Sequence, residues 1–218
     1  MLQQRISEDN PSFNIERALL DKGYKTIAGI DEAGRGALAG PLVVGLVIYR
    51  DSFIMNPDTQ IINRVNDSKR LTPCERNRVL SIIEEYSEFA CVEIVSHQII
   101  DNININRATE YGIQRLLHSM PYPPDIILLD GNFSFDLKIP VIAIIKGDTK
   151  SISIASASVV AKVRRDNLMV EFDPIYPGYG FKKNKGYGTK EHRRAIQSIG
   201  PSPIHRRSYK PVSEIPLL

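Results

Sequence analysis

Apolar residues along the chain fall into two kinds of block, and their spacing predicts a mixed α/β protein. Ile27 to Asp31 and Leu42 to Tyr49 are continuous apolar runs, as expected of strands buried on both faces. Glu88 to Val95 alternates and is rich in β-branched residues, which predicts a third strand. Asp125 to Gly131 and Pro140 to Ile145 are two further short apolar runs. Between these blocks the spacing turns helical. Ile15, Ala18 and Leu19 share one face before Gly23, and Val79, Leu80, Ile82 and Ile83 do so after a start in which Thr72 caps, Pro73 opens and Glu75 reaches back. Two helical patterns follow the third strand, Ser96 to Asn104 and Arg107 to Met120, the second with Ile113, Leu116 and Leu117 inward. Ser151 to about Phe172 is a long helix whose first half is dominated by small side chains, and Thr189 to Ile199 is a last helix stopped by Gly200-Pro201. Arg50 to Asn66 and Pro174 to Asn184 read as loops. The order of elements predicts a central sheet flanked by helices.

Composition narrows the class. With 218 residues, 42% of them hydrophobic, the chain can bury one sizeable core. Expected divisions are an N-terminal arm over 1–25, a catalytic core over 26–175 and a basic C-terminal segment over 176–218. Cys74 and Cys91 form neither a disulfide framework nor, with the four histidines, a metal-ligand pattern. No apolar run approaches the roughly 20 residues that span a bilayer, and the polar start is unlike a signal peptide. A cytoplasmic protein with no membrane partner is expected.

Charge adds a direction. The net charge is only +3, yet residues 180–210 hold nine Lys or Arg against Glu191 alone, a local +8 that leaves the remainder at −5. A basic portion beside an acidic body suggests a polyanion partner, and Tyr179, Phe181, Tyr187 and Tyr209 among the cations suit stacking on sugars and bases. A solvated charged helix is the plainer alternative.

The candidate chemistry lies where apolar runs stop. Asp31 and Glu32 follow the first, beside Gly34-Arg35-Gly36; Asp130 closes the fourth and Asp148 follows the fifth. An Asp-Glu pair before glycines is often an ordinary acidic turn, but such turns seldom sit between two long runs that both need burial. Adjacent strand residues point to opposite faces, so the pair can converge only if the strand ends or bulges there. The glycines expose backbone N–H groups in a concavity open to an anionic backbone. Four gathered carboxylates would repel one another unless cations neutralise them. With oxygen donors and no His or Cys cluster, Mg²⁺ or Mn²⁺ fits best, and two such ions about 4 Å apart can cleave a phosphodiester. Lys69 and Arg70 could meet a phosphate or be ordinary surface cations, and Asp166 is either a further acid or half of an ion pair with a neighbouring Arg.

Several motifs in order carry a family resemblance: GIDEAGRG over 29–36 with LAGP over 38–41, NDSKRLT over 66–72, LDGN over 129–132, KGD over 146–148, SIASASVVAKVRRD over 153–166 and NKGYGTKEH over 184–192, then GPSPIHRRSY. The chain resembles ribonuclease HII, the bacterial type 2 ribonuclease H, from about Ile27 to Tyr209. The resemblance implies the ribonuclease H-like fold, with a central mixed five-stranded sheet flanked by helices and a C-terminal helical segment. It implies an endonuclease acting as a monomer on RNA–DNA hybrids and on ribonucleotide-containing duplex DNA, cutting 5′ of the ribonucleotide to leave 3′-hydroxyl and 5′-phosphate ends. Asp31, Glu32, Asp130 and Asp148 would be the catalytic, metal-binding acids, served by two divalent ions. Gly34, Arg35 and Gly36 would line the ribonucleotide and its 2′-hydroxyl, Tyr187 would pack on the sugar at the junction, and Lys69 and Lys146 would touch phosphates. The chain departs from the family at Ala37, where proline is frequent, at Ser156 in an alanine-rich run, at Tyr176 before Pro177 and at Tyr209; none of these is a predicted metal ligand. The tail Pro211 to Leu218 either packs or docks on a replication clamp. Another nuclease or strand-transferase of the same fold, and a noncatalytic nucleic-acid binder with structural acids, are the competing readings.

Overall fold

In the computed structural model the described residues are 10–66 and 72–215. Lys69, with the rest of 67–71, lies outside them, as do the first nine and last three residues.

The apolar runs form strands β1 (Ile27–Ala33), β2 (Leu42–Tyr49), β3 (Ser87–Val95), β4 (Ile126–Asp130) and β5 (Val141–Ile144), which join in one mixed sheet of order β3-β2-β1-β4-β5. Every residue of β2 and the first four of β4 are buried, the signature of strands covered on both faces. β4 pairs in parallel with β1 and with β5, so the carboxyl ends of all three lie along one edge. Sites in open α/β sheets form at that edge.

The helices are α1 (Asn14–Leu20), α2 (Asp51–Met55), α3 (Thr59–Asn66), α4 (Pro73–Tyr86), α5 (His97–Ser119), α6 (Ile152–Ile175), α7 (Phe181–Asn184) and α8 (Lys190–Ile199). None of the described helices is long and apolar enough to cross a membrane. α4 begins with the expected reciprocal cap, Thr72 accepting from the Glu75 N–H while the Glu75 carboxylate accepts from the Thr72 N–H. α5 is two helical stretches divided at Asn104, whose φ of 64° breaks the path and whose side chain accepts from the N–H groups of Asn106 and Arg107 to start the second.

Three local expectations need correcting. The stretch 50–66 is not a loop: α2 is held by buried Ile54 and α3 by buried Val65, with Phe53 stacked on Tyr49. At five and eight residues these helices are short, and the Asn, Asp and Pro between and around them read as loop. α6 runs on past Phe172 to Ile175, and α7 forms within the supposed loop because Phe181 is drawn fully into the core. β1 does not stop at Asp31 but continues through Glu32 to Ala33, so both acids lie within the strand, Asp31 buried and Glu32 half-buried.

The chain gathers into two compact units, with β1, β2, β3 and α6 each contributing to both. The first holds the described residues up to Asp31, Leu46–Ala90 and Tyr122–Val159. Its core includes Leu19, Ile27, Ile126, Leu128 and Ile154. Here the start of α6 lies so close to β1 that a β-carbon on Gly29 would fall 2.2 Å from the carbonyl carbon of Ser153. The second holds Glu32–Gly45, Cys91–Pro121 and the described residues from Val160 onward, around Leu38, Met169, Phe181, Ile196, Ile204 and Val212.

Candidate active site

The acids of the first unit are placed by strand register. Ile30 pairs with Leu129, so Asp31 and Asp130 are each the next residue along adjacent parallel strands. Asp130 pairs with Ile144 in turn, and two residues beyond Ile144 the chain enters a left-handed conformation at Lys146 (φ 55°, ψ 46°) that turns it into a 3-10 turn, Gly147–Thr149. That turn brings the Gly147 N–H to within 2.6 Å of Oδ1 of Asp130. A β-carbon on Gly147 would meet Ile154 at 2.6 Å and Asp130 Oδ1 at 3.3 Å, so the turn is pressed against both. Lys146 itself is exposed and Asp148 half-buried.

Electrostatics ties Asp130 to Asp148. Burial pushes the Asp130 carboxyl above the usual carboxylate range and the charge of Asp148 pushes the same way, while N–H groups of Gly147, Asp148 and Gly131 oppose the rise. A buried carboxyl with a second acid beside it is a place where a cation would favour the ionised form. The donors are all oxygens, which fits a hard divalent ion. Among the described residues no group of three or more His, Cys, Asp and Glu side chains stands close enough together to hold a metal ion.

The second unit carries Glu32 and the Gly34-Arg35-Gly36 loop. Gly34 has φ +95°, the left-handed region that glycine tolerates, and packs on Arg165. Gly36 differs: it is exposed, and a β-carbon there would meet nothing within 4 Å. The Arg35 guanidinium donates to Thr109 Oγ1 at 3.0 Å and to Asn106 Oδ1, and stands 3.6 Å from Glu32. Its side chain is therefore engaged within the protein.

Sequence reasoning missed the two residues that shape this loop. Arg165 and Arg206 are both 0% exposed. Arg165 donates to the carbonyls of Pro41, Ala39 and Lys185 at 3.0, 3.2 and 2.9 Å. Arg206 donates to the carbonyls of Gly40 and Arg35 at 3.1 and 2.9 Å, and the Tyr209 hydroxyl donates to the same Arg35 carbonyl at 2.9 Å. Burial lowers the pKa of both guanidiniums, that of Arg206 to about 10, which still leaves it charged at neutral pH. For Arg165 a signal existed: it continues the four-residue row Ala157, Ala161, Arg165, Met169, every member of which is buried. For Arg206 there was none, since a basic residue in a basic run reads as surface.

Tyr187 is half-buried and bridges to Ala37 across an antiparallel contact. The Arg165 and Lys162 cations lie 5.1 and 5.6 Å from its ring centroid. Asp166 forms its ion pair with Lys162, at 2.6 Å, where a neighbouring Arg was the expected partner.

The basic segment needs one correction. Arg206 is buried, and Phe181 and Tyr179 belong to the core, where they stack on each other and pack against His192 and His205. Apolar rings close in sequence to Leu38 contacts find more area in the interior than beside cations. What remains exposed is Lys182, Lys183, Lys190, Arg193, Arg194 and Lys210.

Comparison with known proteins agrees with these motifs. The family model for ribonuclease HII matches residues 28–212. Ribonuclease HII of Chlorobium luteolum is 46% identical over 201 residues, covering 92% of this chain and 96% of that protein. Among solved structures, ribonuclease H2 from Pyrococcus horikoshii OT3 superposes with a TM-score of 0.73 at 26% identity, over 87% of this chain and 96% of the other. The ribonuclease HII in a PCNA:RNase HII complex from Archaeoglobus fulgidus superposes with a TM-score of 0.69 at 25% identity, over 85% and 95%.

Proposed function

The chain belongs to the ribonuclease HII family, and on that premise we propose that it nicks duplex DNA on the 5′ side of a single embedded ribonucleotide as well as cutting longer hybrids, leaving 3′-hydroxyl and 5′-phosphate ends. The coarser activity is that of the family: metal-dependent hydrolysis of phosphodiester bonds in the RNA strand of RNA–DNA hybrids. The proposal assigns metal binding and catalysis to Asp31, Glu32, Asp130 and Asp148. The observation that carries it is the strand register that sets Asp31 beside Asp130, with Asp130 tied through the Gly147 N–H to the turn bearing Asp148. Two Mg²⁺ or Mn²⁺ ions held by these acids would supply an activated water and neutralise charge on the leaving oxygen.

The rest of the reading concerns what the chain does to its substrate. Gly36 leaves its surface open, and the loop beneath is fixed by two buried guanidiniums, so backbone groups of Gly34, Arg35 and Gly36 can meet a 2′-hydroxyl in a constant position. The 2′-hydroxyl is the group by which a protein tells RNA from DNA. Tyr187 supplies a ring for a sugar at the junction, and Lys146 an exposed cation for a phosphate. The relative in complex with PCNA supports extending clamp contact to this chain as well.

The decisive experiment is Asp130→Asn assayed with Mg²⁺ and with Mn²⁺ on a hybrid, on duplex DNA containing one ribonucleotide, and on all-DNA duplex. The expected result is a rate loss of about a thousandfold or more with substrate binding largely retained, on the scale of losing a principal electrostatic group. An unchanged rate would mean that the acids are structural. Equal cutting of all-DNA duplex by the wild type would reject ribonucleotide specificity.

A further inference from the structure

Glu16 is 0% exposed, an unusual place for a carboxyl group. Its Oε1 accepts the Ser151 hydroxyl at 2.6 Å and the Ser153 N–H at 3.1 Å, while its Oε2 is buried without a hydrogen-bond partner. Ser151 Oγ accepts the Ile154 N–H in turn, at 3.2 Å. Glu16, on α1, thus closes the first turn of α6, a helix 24 residues long whose leading N–H groups have no partner within the helix; burial pushes the Glu16 carboxyl above the usual carboxylate range, against these hydrogen bonds. The preceding strand-like segment joins the same place: Ser12 donates to the Lys150 carbonyl at 3.1 Å and accepts from the Ile152 N–H at 3.2 Å.

The grip extends to two of the proposed metal-binding acids. The Ser151 N–H donates to the Gly147 carbonyl at 2.8 Å, and the Gly147 N–H donates to Asp130, so the turn carrying Asp148 hangs between Asp130 and the residue that Glu16 holds. The carbonyl group of Ser153 packs on Gly29, two residues before Asp31. Phe13, buried and edge-on to Tyr49 at 5.3 Å, keys this N-terminal segment in place.

We propose that Glu16 is a positioning residue for the reaction: by capping α6 from outside it fixes the Gly147–Thr149 turn, and with it Asp148, relative to Asp130. This rests on the reading that these acids bind the metal. It gives the N-terminal segment a part in the chemistry, beyond packing.

The test uses the full chain with Glu16→Ala, Glu16→Gln and Ser151→Ala, and Asp148→Asn as a reference. Glutamine keeps an oxygen where Oε1 stands, so it should rescue what alanine loses. Expected for Glu16→Ala are amide exchange over 147–154 faster by about tenfold, and kcat on a hybrid lower by about 10- to 100-fold, the usual cost of losing a group that orients a metal ligand. The hybrid KM stays within about twofold, and Glu16→Gln restores both quantities. Ser151→Ala, which removes one hydroxyl, moves exchange and kcat the same way by less, and decides the matter if Glu16→Ala does not fold. Wild-type exchange and kcat in a folded Glu16→Ala protein, or a Glu16→Gln protein no better than Glu16→Ala, would overturn the proposal. Full activity in Asp148→Asn would instead overturn the metal reading, whatever exchange shows.

Discussion

Gly34 lies directly against Arg165: a β-carbon built on it would fall 1.9 Å from Nε and 2.5 Å from Cδ. The guanidinium cannot retreat, because it is spent on three backbone carbonyls. Gly34→Ala therefore forces either a strained residue at φ +95° or the loss of those bonds. The expected cost is about 3 kcal/mol, read from urea unfolding. A loss below about 0.5 kcal/mol would mean that the loop moves freely over Arg165.

Two residues on, the same substitution should do the opposite. Nothing lies within 4 Å of a β-carbon on Gly36. Gly36→Ala should leave the unfolding free energy within about 0.5 kcal/mol, as for surface changes generally. Its kcat/KM on duplex DNA with one embedded ribonucleotide should fall by about tenfold or more, since the methyl group occupies the space the sugar would need. Unchanged kinetics would remove Gly36 from the substrate contacts.

Tyr49 and Ser156 share a hydrogen bond at 2.8 Å in the core. Removing one hydroxyl strands the other, so Tyr49→Phe and Ser156→Ala should each cost about 1 to 2 kcal/mol. The double variant should cost less than the two combined, because no orphan remains. Additive losses in a double-mutant cycle would argue that the bond contributes nothing.

The pair His192 and His205 sets an acid limit on stability. Their Nε2 atoms are 3.0 Å apart, a geometry that needs one ring to donate and the other to accept. Burial and the neighbouring His192 hold the His205 pKa down at about 3, and burial lowers that of His192 as well. The unfolded chain titrates near 6.5, so below that pH it takes up protons the folded protein refuses. The pair's contribution to stability is therefore full above pH 6.5 and declines as pH falls toward 3, by up to about 1.4 kcal/mol per pH unit for His205. The His205 contribution, read as the difference between wild type and His205→Asn in chemical denaturation, should be about 2 kcal/mol smaller at pH 5 than at pH 7. A difference that does not change between the two pH values would show that the pair accepts a proton in the folded state.

Much of this arrangement could be read before any coordinates. β1, β2 and β4 are written in apolar runs that tolerate no other placement, and Thr72, Pro73 and Glu75 spell out a helix start. Asp130 and Asp148 stood out for the same reason: each is a charge at the end of such a run. What escaped depended on partners far away in sequence. The Arg206 guanidinium is buried by carbonyls 166 and 171 residues earlier, and no local pattern reports them. α2 and α3 are only five and eight residues long and lie among Asn, Asp and Pro, whose turn signal outweighed the short apolar pattern. Glu16 looked like one polar residue among several on a short helix, and only the meeting of α1 with the start of α6 gives it a role.

The buried guanidiniums also order events during synthesis. Residues 35–41 leave the ribosome early, but the groups that hold their carbonyls belong to Arg165 and Arg206, made much later. A nascent chain can pair its first strands long before this loop has its shape. If Gly34, Arg35 and Gly36 meet the ribonucleotide as proposed, that contact takes its shape only when translation is nearly finished.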